Sequence, residues 1–271
     1  MKGTVLYETL RRSWKHALYW GLGIALLAFY PFLMMPNTPE GFQQYVEIAK
    51  GLPEGVLEMF GMSDITAIGT PVGFIGYSFF GYILLILAVY SVIAGLNVSA
   101  VDEDNGSMDI LLSLPLPRWQ IIIEKIIAYS VIALIIALFA FAGFILGAML
   151  VPDRIDLEWH KYLTGSLAVL PGTIFMMVIT AFIGTMVRRR VTAAVLAGAF
   201  IFGSYVLNVI GGISNTNFAE TMKGFSFFAY LNTTKALEQG VTIESALALA
   251  IISIILAGGA VILFEQRDVS V

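Results

Sequence analysis

The chain has 271 residues, of which 58% are hydrophobic and only 13% charged, with a formal net charge of −4. A soluble domain needs about twice that charge to cover its surface, so the composition excludes an ordinary water-soluble fold and predicts an integral membrane protein. The small net charge and the lack of any long basic run give no footprint for nucleic acid, and the absence of cysteine excludes thiolate chemistry, disulfides and cysteine metal sites.

Residues 2–16 form an amphipathic lead-in. Leu6, Leu10, Trp14 and Ala17 recur at spacings of three or four, with Lys2, Arg11, Arg12 and Lys15 between them. The pattern fits a helix lying in the headgroup region or a basic flank that orients the first span, and the two are compatible. The apolar stretch behind it starts too late and runs too long for a cleavable signal peptide. Six apolar spans follow, at about 17–35, 71–100, 126–150, 163–187, 191–211 and 241–264, each near the length that crosses a bilayer. The second is free of charge from Ile65 to Val101 and is longer than crossing requires. It either tilts or begins with a separate piece around Pro71, Gly73 and Gly76. Only Arg188-Arg189-Arg190 separates the fourth span from the fifth.

Lys and Arg counts on alternate sides favour both termini in the cytoplasm by about two to one. Two segments then face outward. Residues 36–70 are apolar enough for short interfacial helices. Residues 212–240 carry Phe225-Ser-Phe-Phe-Ala-Tyr-Leu, too short to span but able to dip into the outer leaflet if protein covers its backbone.

Chemistry is sparse. His16 and His160 sit at opposite membrane edges, and no metal-ligand pair, nucleophile elbow or phosphate loop appears, so catalytic and metal residues are expected to be none. No span interior holds an Asp, Glu, Lys, Arg or His. Ion-coupled carriers rely on such groups near mid-membrane, so a secondary carrier is disfavoured, as is an intramembrane enzyme. The larger polar or amphipathic groups in spans two and five are Tyr82, Tyr90, Asn97, Tyr205 and Asn208. They either pack helices or line a weakly polar path for an amphipathic substrate. Gly76, Gly81, Gly95, Gly198 and Gly203 would let helices approach closely or hinge.

The polar island between spans two and three, Asp102 to Lys125, carries the most information. Asn105-Gly106 is a turn pair. Ser107 can cap a following helix, and Asp109 suits the positive end of its dipole. Ile110, Leu111, Leu112 and Leu114 give that short helix an apolar surface, and Pro115 and Pro117 end it. Physically this is either a knob for a groove in a cytoplasmic partner or a loop helix resting on lipid.

The spacing Glu103-x-x-Gly106-Ser-x-Asp109-x-Leu111-Leu112-Ser-x-Pro115-x-x-Arg118, with Lys125 beyond it, resembles the ABC-2-type permease family, the membrane subunits of ATP-binding-cassette exporters. Pro53 to Gly61, Ser226-Phe-Phe-Ala-Tyr and Phe264-x-x-Arg267-Asp268 extend the resemblance over nearly the whole chain. It departs in having Asp-Glu-Asp-Asn where many members look like Glu-Glu-x, although the acidic character survives. The resemblance implies one all-α transmembrane domain over residues 1–271, similar to a type V exporter. Its parts would be an interfacial N-terminal helix, a cytoplasmic coupling helix and an outer re-entrant helix before span six. It also implies a second permease chain, and an ATPase subunit that binds ATP and Mg and docks on Glu103, Gly106, Asp109, Leu111, Leu112, Pro115, Arg118 and Lys125. A permease-like subunit serving sensing, peptide immunity or lipid remodelling is the alternative. A multi-pass protein of a prokaryotic plasma membrane is expected.

Overall fold

The computed structural model describes residues 3–62, 64–101, 116–155, 158–187, 189–213, 216–231, 237 and 242–266. Most of these residues are helical, and six helices are long and apolar enough to cross a membrane: Thr4–Met34, Pro71–Val98, Arg118–Leu150, Trp159–Met186, Arg190–Ile213 and Ile243–Gln266.

α1 runs unbroken over Thr4–Met34. The lead-in and first span are therefore one helix rather than a surface helix followed by a span. Nothing between Thr4 and Pro31 removes a backbone N–H, and the isolated glycines Gly21 and Gly23 are tolerated inside a helix. At 1.5 Å per residue its 31 residues reach about 46 Å, so a bilayer of about 30 Å leaves its basic first turns outside the hydrocarbon.

Two short helices follow, α2 (Pro39–Lys50) and α3 (Glu54–Met59). Thr38 caps α2 by accepting the Gly41 N–H, and Pro39 supplies a preset first turn. Phe42, Val46 and Ala49 are its buried face.

The second span has the separate first piece that its length suggests. α4 (Pro71–Ile75) leads through a π-helical turn at Gly76–Phe80 into α5 (Gly81–Val98). The π turn places consecutive Phe79 and Phe80 against one ring, Phe144, with centroids 4.9 and 5.9 Å away. Phe32 and Tyr162 complete this aromatic core.

α6 (Arg118–Leu150) starts eight residues before the expected third span. It lies parallel to α1, and glycines set the approach. A Cβ on Gly143 would overlap the Ala25 backbone carbonyl, and one on Gly147 would overlap the Phe32 ring. Close backbone approach of this kind is how apolar helices gain dispersion contact where lipid removes the hydrophobic drive. α7 (Trp159–Ala168) and α8 (Leu170–Met186) make the fourth span. α8 packs on α5, where the Ser91 hydroxyl donates to the Thr173 carbonyl at 3.0 Å and Gly95 meets Met177 and Thr180.

α9 (Arg190–Ile213) and α11 (Ile243–Gln266) leave most of their apolar surface open. α10 (Asn217–Gly224) returns against α9, with Gly211 against Lys223 and Ala219. The 3₁₀ turn Phe227–Tyr230 packs deeper. The Ser226 hydroxyl donates to the Ser204 carbonyl at 2.7 Å, and the Phe227 N–H donates to the Ser204 hydroxyl at 3.1 Å. Ser204 lies nine residues before the end of α9, about 13 Å back along its axis.

Candidate functional site

Two places combine polar chemistry with this apolar frame. One end of the bundle, called the root here, gathers the start of α1, the end of α5 and the start of α6. The other, the rim, carries α2, α3 and the end of α9.

The root is built around adjacent opposite charges, Glu124 and Lys125, both more than nine-tenths buried. The Glu124 carboxylate accepts the backbone N–H groups of Gly3, Val5 and Leu6 at 2.8, 2.9 and 3.0 Å. These are donors of the first turn of α1, which have no partner inside their own helix. Gln120, one turn earlier on α6, also donates to Glu124. Gly3 takes the left-handed conformation (φ 87°) where the chain enters α1. Lys125 does the reverse for α5. Its Nζ donates to the carbonyls of Asn97 at 3.3 Å and Val98 at 3.2 Å, among the last acceptors of that helix. An anion at a helix N-terminus and a cation at a C-terminus both oppose the helix dipole favourably. Two successive residues of α6 thus tie the ends of two other helices to it.

Lys125 belongs to the expected ATPase-coupling set, and the structure places it at the junction of α5 and α6. Arg118 opens α6. Glu103, Gly106, Asp109, Leu111, Leu112 and Pro115 lie outside the described residues. Glu124 is missed by sequence reasoning, which singles out only its neighbour Lys125. Its signal is the Gln120-x-x-x-Glu124-Lys125 run, one helical turn of polar groups entering an apolar helix.

Of the expected path residues, the structure brings two together. Tyr205 and Asn208 line a pocket of about 80 Å³ at the rim, between α9 and the start of α5, with Glu58, Phe80, Leu84 and Phe228 among its other walls. The Tyr205 hydroxyl donates to the Met59 carbonyl at 2.6 Å, and its ring meets Phe228 edge-on. Tyr82 is half-buried on the first turn of α5 and does not line this pocket. Tyr90 donates to the Tyr129 carbonyl at 2.8 Å and packs against Trp20, on the face turned toward α6 and α1. Asn97 is at the root, about 18 Å along α5 from Leu85. Asn97 and Asn208 therefore occupy opposite ends of the bundle. Gly81 approaches the Phe60 carbonyl and Gly95 approaches α8, whereas Gly198 and Gly203 face open space.

No curated protein matches this chain. The model of the family described as ABC-2 family transporter protein matches residues 7–269. With six apolar helices in one chain and a match that runs almost from end to end, the protein is a multi-pass membrane protein and belongs to the ABC-2 transporter family.

Proposed function

We propose that the chain is the permease subunit of an ATP-driven exporter, working as a pair of permease chains above two separately encoded ATPase subunits. The observation that carries this reading is the family match over residues 7–269. ATP and Mg would be held by the ATPase. The chain shows no phosphate loop of its own anywhere in its sequence.

In this reading both termini and the root face the cytoplasm, as the Lys and Arg distribution favours. Residues 103–118 dock on the ATPase through Leu111 and Leu112, with Glu103, Asp109 and Arg118 as the charged rim. Gly106 and Pro115 bound the docking helix. ATP-driven closure pushes on this segment. The push reaches α5 and α6 directly and α1 through Glu124, so three helices receive it together. The Phe227–Tyr230 turn against Ser204 supports a re-entrant element at the outer side. Spans two and five line the substrate path, and the charge-free spans suit an amphipathic cargo better than a bare ion.

The test is co-purification. Leu111→Asp with Leu112→Asp is expected to abolish recovery of the ATPase with the permease while membrane insertion persists. Undiminished recovery would place the segment on lipid instead.

A further inference from the structure

The pocket at the rim has an unmatched chemistry. Glu58 on α3 turns its half-buried carboxylate to it, and among the described residues no hydrogen bond or ion pair satisfies that carboxylate. Asn208 adds a buried Oδ1 that also has no partner. The Tyr205 hydroxyl has already given its proton to the Met59 carbonyl, so its oxygen is left as an acceptor. Residues bearing three acceptors thus line one pocket, and no described Lys or Arg is among its walls. A buried acceptor without a donor, as at Asn208, is unusual in folded proteins and calls for an explanation.

The pocket walls are Phe80, Leu84, Leu85, Phe228 and Leu231. A volume of about 80 Å³ is well below the roughly 300–1,000 Å³ of pockets that hold drug-sized ligands. It admits a polar head and not a whole drug-sized molecule. A second hollow of about 250 Å³, lined by Glu54, Leu57, Met62, Ile65, Gly212 and Ile213, opens beside the same Glu58 carboxylate. Gly212 makes the arrangement possible, because a Cβ there would overlap that carboxylate.

We propose that Glu58, Asn208 and Tyr205 form a binding site for the primary ammonium or guanidinium head of an amphipathic molecule, whose apolar part lies along the flanking hydrophobic walls. The proposal rests on the permease reading for its meaning, since it names the class of cargo received at the rim. An N–H-bearing cation supplies both missing quantities, positive charge for the carboxylate and several donors for the three oxygens. An anionic head would meet the carboxylate with repulsion. A bare metal ion would find one carboxylate and two neutral side-chain oxygens, fewer than the roughly six to eight ligands that a hard cation takes.

Saturation-transfer NMR on the chain in phosphatidylcholine nanodiscs, with empty nanodiscs subtracted, tests the site without ATP. Hexylammonium is expected to bind roughly tenfold more tightly than hexanol or hexyltrimethylammonium. Glu58→Gln keeps the shape and is expected to erase that preference. Gly212→Ala keeps the charge but displaces the carboxylate, and is expected to weaken it. Circular dichroism and a monodisperse elution profile identify variants that have kept the fold. The same preference in the folded Glu58→Gln variant as in the parent overturns the proposal. Nanodiscs containing phosphatidylethanolamine separate the two sources of an ammonium head: competition with hexylammonium assigns the site to lipid, and no competition assigns it to a free amphipathic amine. The permease reading fails separately, by loss of a co-purifying ATPase, and leaves this measurement untouched.

Discussion

Glu124→Ala is the most informative single change at the root. It removes the acceptor for three backbone N–H groups of α1. Two of the three bonds are only partly buried, so water can replace the carboxylate at Gly3 and Leu6. Val5 is buried and its N–H would be left without a partner, which costs about 1–3 kcal/mol. Loss of an N-terminal cap adds about 1 kcal/mol. The two losses overlap, because the cap is made of the same bonds, so local unfolding of the start of α1 should become easier by about 2–3 kcal/mol. At 1.4 kcal/mol per factor of ten this is about thirty- to one-hundred-and-fifty-fold. Amide hydrogen exchange in detergent micelles reads it directly, as faster exchange at Val5 and Leu6 with little change in the α8 amides. Glu124→Gln, which keeps an acceptor oxygen but not the charge, should fall between. Slow exchange at Val5 in Glu124→Ala, equal to the parent, would refute the argument that this carboxylate holds the helix start.

Three further outcomes are expected. Lys125→Met should loosen the last turn of α5 by about 1–2 kcal/mol, seen as faster exchange at residues 96–101 with α1 protection unchanged. Gly143→Val forces side-chain atoms into the Ala25 carbonyl and should separate α1 from α6, lowering thermal stability by an overpacking cost of about 1–3 kcal/mol. A melting temperature equal to the parent would mean that the two helices slide apart freely. Tyr205→Phe removes only the hydrogen bond to Met59 and should cost about 0.5–1.5 kcal/mol, leaving the contact with Phe228 in place. An unaltered melting curve would show that water replaces that bond without loss.

The spans were readable because hydrocarbon imposes a length and an apolar composition that few other environments demand. The interruption of the second span was readable for the same reason, since Pro71, Gly73 and Gly76 precede a stretch too long for one crossing. The continuity of α1 was less visible. A basic amphipathic run is compatible with lying on the surface and with projecting from it, and only the Glu124 bonds decide between them here. Glu124 itself was hidden because a charge at a membrane edge is ordinarily solvated, and burial depends on which helix end arrives beside it. Tyr205 and Asn208 share a pocket because they stand at positions i and i+3 on one helix face. Asn97 and Asn208 each lie near the end of spans that run in opposite directions, so their difference in height was already legible in the span bounds 71–100 and 191–211. Glu58 lay in a connecting segment, where no periodicity says which way a side chain turns.

The π turn at Gly76–Phe80 has a consequence for how such chains change over time. A turn closed by i→i+5 bonds holds one residue more than an α turn. Deleting one residue there would let a continuous α-helix form with nearly the same faces beyond it, because the π turn takes up its extra residue within about one turn, whereas a deletion inside α5 would rotate everything beyond it by about 100°. In the second case Ser91 and Gly95 would leave α8, and Tyr90 would leave Tyr129. Length within α5 is therefore tied to the helix faces, and single-residue gaps between Gly81 and Ser91 should be rare among relatives that keep small residues at the positions of Ser91 and Gly95, whereas a single-residue gap between Gly76 and Phe80 is absorbed by the change from a π to an α turn.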